Sequence, residues 1–213
     1  MPRSVTGATY SALVALVNQY TNRSFTADSD ATTGLQTAFI LTNTRMAEVL
    51  RTPEMETTLS LTGSDFPTYT LPDDYLGIRS IIATRSDSTY AMQRTNLLSV
   101  RKAQIDNSGG SPTEYCTKGN TLILGPTPAS SDTFEVVYYS QPAYLATGTD
   151  SNVFTERYPK VYLAGVLSEA YRIIQDTQMA DYWEAIFERR LAETQKNAEA
   201  ETYSGNLITI RNA

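Results

Sequence analysis

The chain of 213 residues contains no histidine and only one cysteine, Cys116. Histidine is the side chain that ordinarily exchanges a proton near neutral pH, so Ser-His-Asp and Cys-His catalytic arrangements are excluded. Zinc sites built from histidine and cysteine ligands are excluded for the same reason. Carboxylate chemistry and all-oxygen sites for calcium or magnesium remain open, so the composition disfavours an enzyme without excluding one.

A single cysteine cannot form a disulfide within the chain, which fits folding in a reducing cytoplasm. Cys116 lies in a strand-like segment, residues 113–117, with no basic neighbour on either side. A reactive thiol normally needs an electropositive setting. We therefore predict that Cys116 is an inert, packed side chain.

Long apolar runs and clusters of basic residues are also missing. No stretch reaches the ~20 apolar residues that span a bilayer, and no apolar segment follows the N-terminal residues as in a signal peptide. The net charge is −6, whereas proteins that grip nucleic acid normally present a basic surface. We therefore expect no membrane partner and no specific binding of DNA.

Two motifs that can carry ligands are better interpreted as turns. Asp73-Asp74 follows Pro72, and neighbouring side chains on a turn diverge, with no third ligand supplied by the sequence. The glycine-containing segments 62–64 and 108–111 lack the lysine and the strand-to-helix context of a phosphate-binding loop. We therefore predict no catalytic residue, no cofactor and no bound metal.

Both ends of the chain show helical periodicity. Apolar residues recur at helical spacing over residues 10–20 and 35–50, and Pro53 ends the second stripe. Helical spacing returns over residues 159–174, where proline suits the first helical position. A last helix is predicted from residue 177 to a glycine stop near residue 205.

The middle of the chain shows strand periodicity. Strands are predicted at residues 57–61, 78–84, 89–93 and 133–139, and a hairpin is predicted over residues 115–124. Residues 95–105 are ambiguous, and we interpret them as a short helix lying over the sheet.

The order of these patterns predicts an α+β fold. We expect a helical bundle built from residues 1–54 and 145–203, with an inserted antiparallel β domain at residues 55–144. Each short helical pair has too narrow a core by itself, so the two ends should pack together. Leu35, Phe39 and Met46 are expected to contact Leu163, Leu167, Trp183 and Phe187.

Residues 204–213 form a separate C-terminal interaction tail in this interpretation. Its candidate partner-interface residues are Leu207, Ile208, Ile210 and Arg211. An alternating aliphatic segment after a terminated helix is typical of a strand that pairs with a sheet edge on another chain. The alternative is a frayed terminus. The fourteen tyrosines fit large subunit interfaces, and fit a sandwich core or a sugar-binding face nearly as well.

Several short segments follow one another in a distinctive order: Leu71-Pro72-Asp73-Asp74-Tyr75, Val137-Tyr138-Tyr139 with Pro142 and Leu145, Tyr158-Pro159 with Tyr162, Leu167 and Glu169-Ala170-Tyr171, then Trp183, Phe187 and Leu191 before Ser204-Gly205. This order resembles the head-to-tail adaptor, or connector, proteins of tailed bacteriophages. The resemblance implies a helical bundle with an inserted β domain, a dodecameric ring below the portal, and no catalysis. It also implies a C-terminal arm that reaches a neighbouring protein.

The function expected from this resemblance is a structural virion protein at the head–tail interface. Its partners would be the portal protein, a tail or nozzle protein and further copies of itself, assembled in the bacterial host cytoplasm. DNA would pass through the ring without specific binding. Two alternatives remain open. One is a carbohydrate-binding module, or a carbohydrate-cleaving one with two carboxyls about 5–9 Å apart. The other is a different connector-layer or minor tail protein.

Overall fold

The computed structural model describes residues 9–23, 25, 34–63, 66–86, 88–106 and 110–203, with the backbone alone for residues 201–203. In chain order, its elements are α1 (Tyr10–Thr21), α2 (Leu35–Val49), a 3₁₀ turn (Pro53–Met55), β1 (Glu56–Thr62), β2 (Thr68–Thr70), β3 (Tyr75–Arg85), β4 (Ser88–Ala91), β5 (Gln93–Arg94), α3 (Leu97–Asp106), β6 (Glu114–Lys118), β7 (Thr121–Gly125), β8 (Thr133–Ser140), α4 (Val153–Arg157), α5 (Pro159–Ile173) and α6 (Thr177–Tyr203). The α+β class is confirmed.

The chain divides into two compact units. The helical unit comprises Met1–Glu54 with Pro142–Ala213, and the β unit comprises Met55–Gln141. Among the described helices, none combines the length and the apolar character needed to cross a membrane.

In the helical unit, helices from opposite ends of the chain pack against one another. Helix α5 contacts α1, α2, α4 and α6. It begins at Pro159 in the first helical turn, as predicted, because the fixed φ of proline suits a position whose N–H has no partner in the helix. The sequence did not predict α4, which is one short helix started by a reciprocal capping box between Asn152 and Thr155.

Aromatic rings fill the centre of the helical unit. Phe39 on α2 packs edge-on against Tyr10 of α1 at 4.7 Å between centroids, and lies 6.0 Å from the ring of Tyr162 on α5. The Tyr162 hydroxyl donates a hydrogen bond of 3.1 Å to the Phe39 carbonyl. A Cβ atom added at Gly165 of α5 would lie 2.6 Å from Thr42 Cγ2 and 3.0 Å from two ring atoms of Phe187. A glycine therefore allows α2, α5 and α6 to approach closely.

Most of the residues that the sequence predicted for the core of this unit are buried. Leu35, Phe39, Met46, Leu167 and Phe187 are buried.

Three other apolar residues are less buried than the sequence predicted. Leu163 and Trp183 are half-buried, and Val49, an apolar residue of the stripe predicted over residues 35–50, is 45% exposed. Helix α2 ends at Val49, and the next residue, Leu50, has an extended backbone and is fully buried in its place.

The β unit contains two four-stranded sheets, with strand orders β1-β8-β3-β4 and β2-β7-β6-β5. Side chains from both sheets share one apolar core: Leu71, Ile81, Ala83, Met92, Tyr115, Leu122, Leu124, Phe134 and Val136. Strand β8 shows the expected alternation, with Phe134 and Val136 buried and Glu135 exposed between them.

The prediction of a purely antiparallel β domain is wrong for one pair of strands, because β5 runs parallel to β6. The predicted strand over residues 89–93 changes sheets near its end. The Met92 N–H donates to Ile81 in the first sheet, whereas the Gln93 N–H donates to Thr113 beside the second sheet. Helix α3 then connects β5 to β6, and a helical connection of this kind allows parallel pairing.

Helix α3 confirms the short helix expected over the sheet. Its inward residue Val100 forms a small buried cluster with Cys116 and Ile123. Cys116 is 4% exposed, and burial raises the pKa of its thiol, an effect that the positive charge of Arg101 opposes. The prediction of an inert, packed thiol is confirmed in its packing and in the direction of its pKa.

Candidate interaction surfaces

The residues predicted for the partner interface, Leu207, Ile208, Ile210 and Arg211, lie outside the described residues. The described parts of both units contain other features that bear on function. These are a charged network inside the helical unit, two paired carboxylates in the β unit, and two helical surfaces with exposed apolar side chains.

Arginine and glutamate side chains connect three helices of the helical unit. Arg45 on α2 contacts Glu169 on α5 at 3.1 Å and forms a bidentate pair with Glu184 on α6. Arg172 on α5 contacts Glu169 at 2.8 Å and Glu184 at 3.2 Å. Two positive and two negative charges therefore balance locally. The hydroxyl of Ser168 adds a 2.7 Å hydrogen bond to Glu184.

This network stabilises helix packing, and it does not prepare Glu184 for acid catalysis. The Arg45 hydrogen bond is the main cause that lowers the pKa of Glu184, with burial opposing it and Ser168 adding to it. A general acid in a glycosidase needs a raised pKa. The same Arg45 guanidinium lies 4.7 Å above the Phe187 ring, which fixes its position further.

Carboxylates of the β unit hold loops and turns. Asp74 lies in the predicted turn after Pro72, and its Oδ1 accepts a 3.2 Å hydrogen bond from the Tyr138 hydroxyl. Asp132 is paired with Arg85 at 2.6 Å and accepts the Ala129 N–H at 2.9 Å. The Arg85 hydrogen bond is the main cause that lowers the pKa of Asp132. Among the described residues, no group of three or more carboxylate and thiol side chains is arranged to hold a metal ion.

Helix α3 presents an apolar and basic outer surface, which we call the α3 face: Leu98, Arg101, Lys102 and Ile105. Leu98 is 79% exposed and Ile105 is 80% exposed. Both cations are exposed as well.

Helix α3, which carries the α3 face, is anchored to the second sheet by its opposite side. On the opposite side of the helix, Val100 is fully buried. Ser99 donates a 2.8 Å hydrogen bond to Glu114 on β6, and Gln104 donates a 2.6 Å hydrogen bond to the Leu124 carbonyl on β7. The sequence pattern missed this surface because apolar residues occur on both sides of the helix.

A second exposed surface, the aromatic patch, comprises Tyr20 on α1 with Tyr182 and Trp183 on α6. Both tyrosine rings pack edge-on against Trp183, at centroid distances of 5.4 Å for Tyr20 and 5.5 Å for Tyr182. Tyr20 is 50% exposed and Tyr182 is 57% exposed. The buried Nε1 of Trp183 has no hydrogen-bond partner among the described residues. Tyrosine and tryptophan are enriched at protein interfaces, so this patch is typical of a contact surface.

Paired charges that fix helices, together with apolar surfaces on anchored helices, are features of a structural protein that works through its contacts. The chain belongs to the SU10 adaptor protein family, whose model matches residues 8–209. This membership confirms the resemblance at the level of the class, a structural adaptor of the phage virion. No protein in the comparison with curated proteins matches the chain.

Proposed function

We propose that this chain is the head-to-tail adaptor of a tailed bacteriophage. Copies of the chain form a dodecameric ring that docks on the portal protein, receives a tail or nozzle protein and encloses the channel through which DNA passes. The observation that carries this proposal is the family match over residues 8–209, which spans both the helical unit and the β unit.

In this proposal, the helical bundle built from both chain ends forms the wall of the ring. Side chains on α2, α5 and α6 are joined by the Arg45 network, which fixes the three helices against one another. The β domain faces outward from the ring or toward the tail-side partner. Residues 204–213 act as an arm, with Leu207, Ile208, Ile210 and Arg211 contacting a neighbouring protein.

The action of the ring on DNA is steric and electrostatic, not enzymatic. The net charge of −6 opposes adhesion to the phosphate backbone, which allows DNA to slide. The half-buried, arginine-bound Glu184 supports a structural role for the carboxylates of the helical unit. Assembly takes place in the host cytoplasm, before the particle is released.

The proposal is tested by the mass of the complex that the chain forms with purified portal protein. The 23.5 kDa chain should add to a portal ring in a fixed multiple of its own mass, and electron micrographs should show a second ring below the portal. The chain alone serves as the control for spontaneous assembly. A chain that stays monomeric in the presence of portal, and that is absent from purified virions, would contradict the proposal. A monomer that binds host polysaccharide would favour the carbohydrate module instead.

A further inference from the structure

The arrangement of side chains around α3 places two apolar residues between two cations. At about 100° per residue, Leu98 and Ile105 lie within about 20° of each other around the helix axis and about 10.5 Å apart along it. Lys102 lies on one side of this apolar line and Arg101 lies on the other. Such a surface fits an acidic helix with small side chains, onto which Leu98 and Ile105 can pack.

Helix α6 of the same sequence presents a surface of that kind. Asp181, Ala185, Glu188 and Ala192 are all exposed and lie within a sector of about 60° around the α6 axis. Asp181 and Glu188 make no ion pair with the described residues. We call these four residues the α6 face.

The two faces match in spacing as well as in charge. Ala185 and Ala192 are seven residues apart, as are Leu98 and Ile105, so each pair spans about 10.5 Å of its helix. Glu188 lies between the two alanines, and Arg101 and Lys102 lie between the two large aliphatic residues. A helix that carries small residues at this repeat can receive large side chains from a partner helix at close approach.

We propose that the α3 face of one copy packs against the α6 face of a neighbouring copy in the assembled ring. This inference rests on the proposed function, because it names a subunit contact of that ring. Leu98 and Ile105 cover Ala185 and Ala192, while Arg101 and Lys102 approach Glu188, which lies at the same level between the two alanines. The contact links the β unit of each copy to the helical unit of the next copy, which makes the ring continuous through both parts of the chain.

Disulfide formation between two differently tagged chains tests the geometry of this contact. One chain carries Leu98→Cys, and the other carries Ala185→Cys or Ala192→Cys, so that parallel and antiparallel packing are both covered. The native Cys116 is 4% exposed and contributes little background. Mild oxidation of portal-bound rings should give a mixed dimer for one of the two pairings. The control pairing uses Glu193→Cys, which is exposed but lies about 100° around the axis from Ala192.

Charge reversal tests the electrostatic part of the contact. Arg101→Glu with Lys102→Glu should weaken association between copies about tenfold, because the attraction of both cations to Glu188 is replaced by repulsion. Adding Glu188→Lys to the same chain should restore association. The matched control is Lys118→Glu, an exposed cation of the same unit that lies outside the α3 face. Its association should equal that of the unmodified chain.

The outcomes separate this contact from the proposed function. Rings that assemble on the portal without a mixed dimer, or with an equally strong Glu193→Cys cross-link, overturn the contact and leave the adaptor function standing. A Leu98→Cys chain that cross-links only to the portal protein also overturns it. Failure of the unmodified chain to assemble at all overturns both.

Discussion

Phe187→Ala should lower the free energy of unfolding of the helical unit by about 3–5 kcal/mol. The side chain is fully buried, and the Arg45 guanidinium lies 4.7 Å from its ring centroid. The α5 backbone at Gly165 packs so closely that an added Cβ would lie 3.0 Å from the ring. Backbone on one side and a paired guanidinium on the other limit collapse into the cavity, and the lost cation–π contact adds about 0.5–2 kcal/mol. We therefore expect a loss in the upper half of this range.

The single tryptophan makes the measurement specific to one unit. Trp183 lies on α6, one helical turn before Phe187, so its fluorescence during urea denaturation reports the unfolding of the helical unit. With a slope of about 1–3 kcal/mol per molar urea, the midpoint should fall by more than about 1 M. The matched control is Leu41→Ala on α2 of the same unit, where the side chain is 44% exposed and the loss should be clearly smaller than for Phe187→Ala. A loss below about 1 kcal/mol for Phe187→Ala would refute the packing argument.

Three further predictions follow from the same structure. Gly165→Ala should destabilise the helical unit by about 1–3 kcal/mol, because its Cβ would lie 2.6 Å from Thr42 Cγ2. Gly148→Ala in the same unit, where the added Cβ would make only ordinary contact at 3.7 Å from Ser11 Cβ, should not do so, and equal losses in urea titrations would contradict the argument. The pKa of Glu184 is lowered in the folded chain, so its contribution to stability is present above the unfolded pKa of about 4.3 and is lost as pH falls through the folded pKa. Glu184→Gln should therefore flatten the acid limb of a stability–pH profile, and an unchanged limb would show that other groups control it. Deletion of residues 206–213 should leave the Trp183 unfolding transition in place and reduce binding to portal protein, and loss of the transition would assign these residues to the core instead.

The parts of the fold that could be predicted are those in which one local pattern decides the structure. The stripe over residues 10–20 and the proline at position 159 each fixed a helix, because the burial of one face needs no information from distant residues. The switch at Met92 could not be predicted. Met92 donates a hydrogen bond to Ile81 in the first sheet, and the next residue, Gln93, donates one to Thr113 beside the second sheet. Both bonds join residues that are distant along the chain. A strand pattern specifies alternation along the chain but not the sheet that each half joins.

The candidate surfaces show the same limit. Leu98, Val100 and Ile105 are all apolar, and the sequence does not say which of them faces the sheet. Only the buried cluster of Val100 with Cys116 identifies the inner side and leaves the other two outside. The Arg45 network is equally hidden, because its acidic partners are more than 120 positions away along the chain. The Glu169–Arg172 pair at (i, i+3) is the part of that network that sequence reading can find.

The division of the helical unit between the two ends of the chain has a consequence for synthesis on the ribosome. Helices α1 and α2 emerge first, but α5, which covers Tyr10 and Phe39, follows more than 100 residues later. The β unit is continuous in sequence and can complete its own core during that interval. The N-terminal helices must therefore keep their apolar faces from aggregating until the C-terminal helices arrive. Because of this delay, we expect the β unit, which lies in the middle of the sequence, to fold before the helical unit.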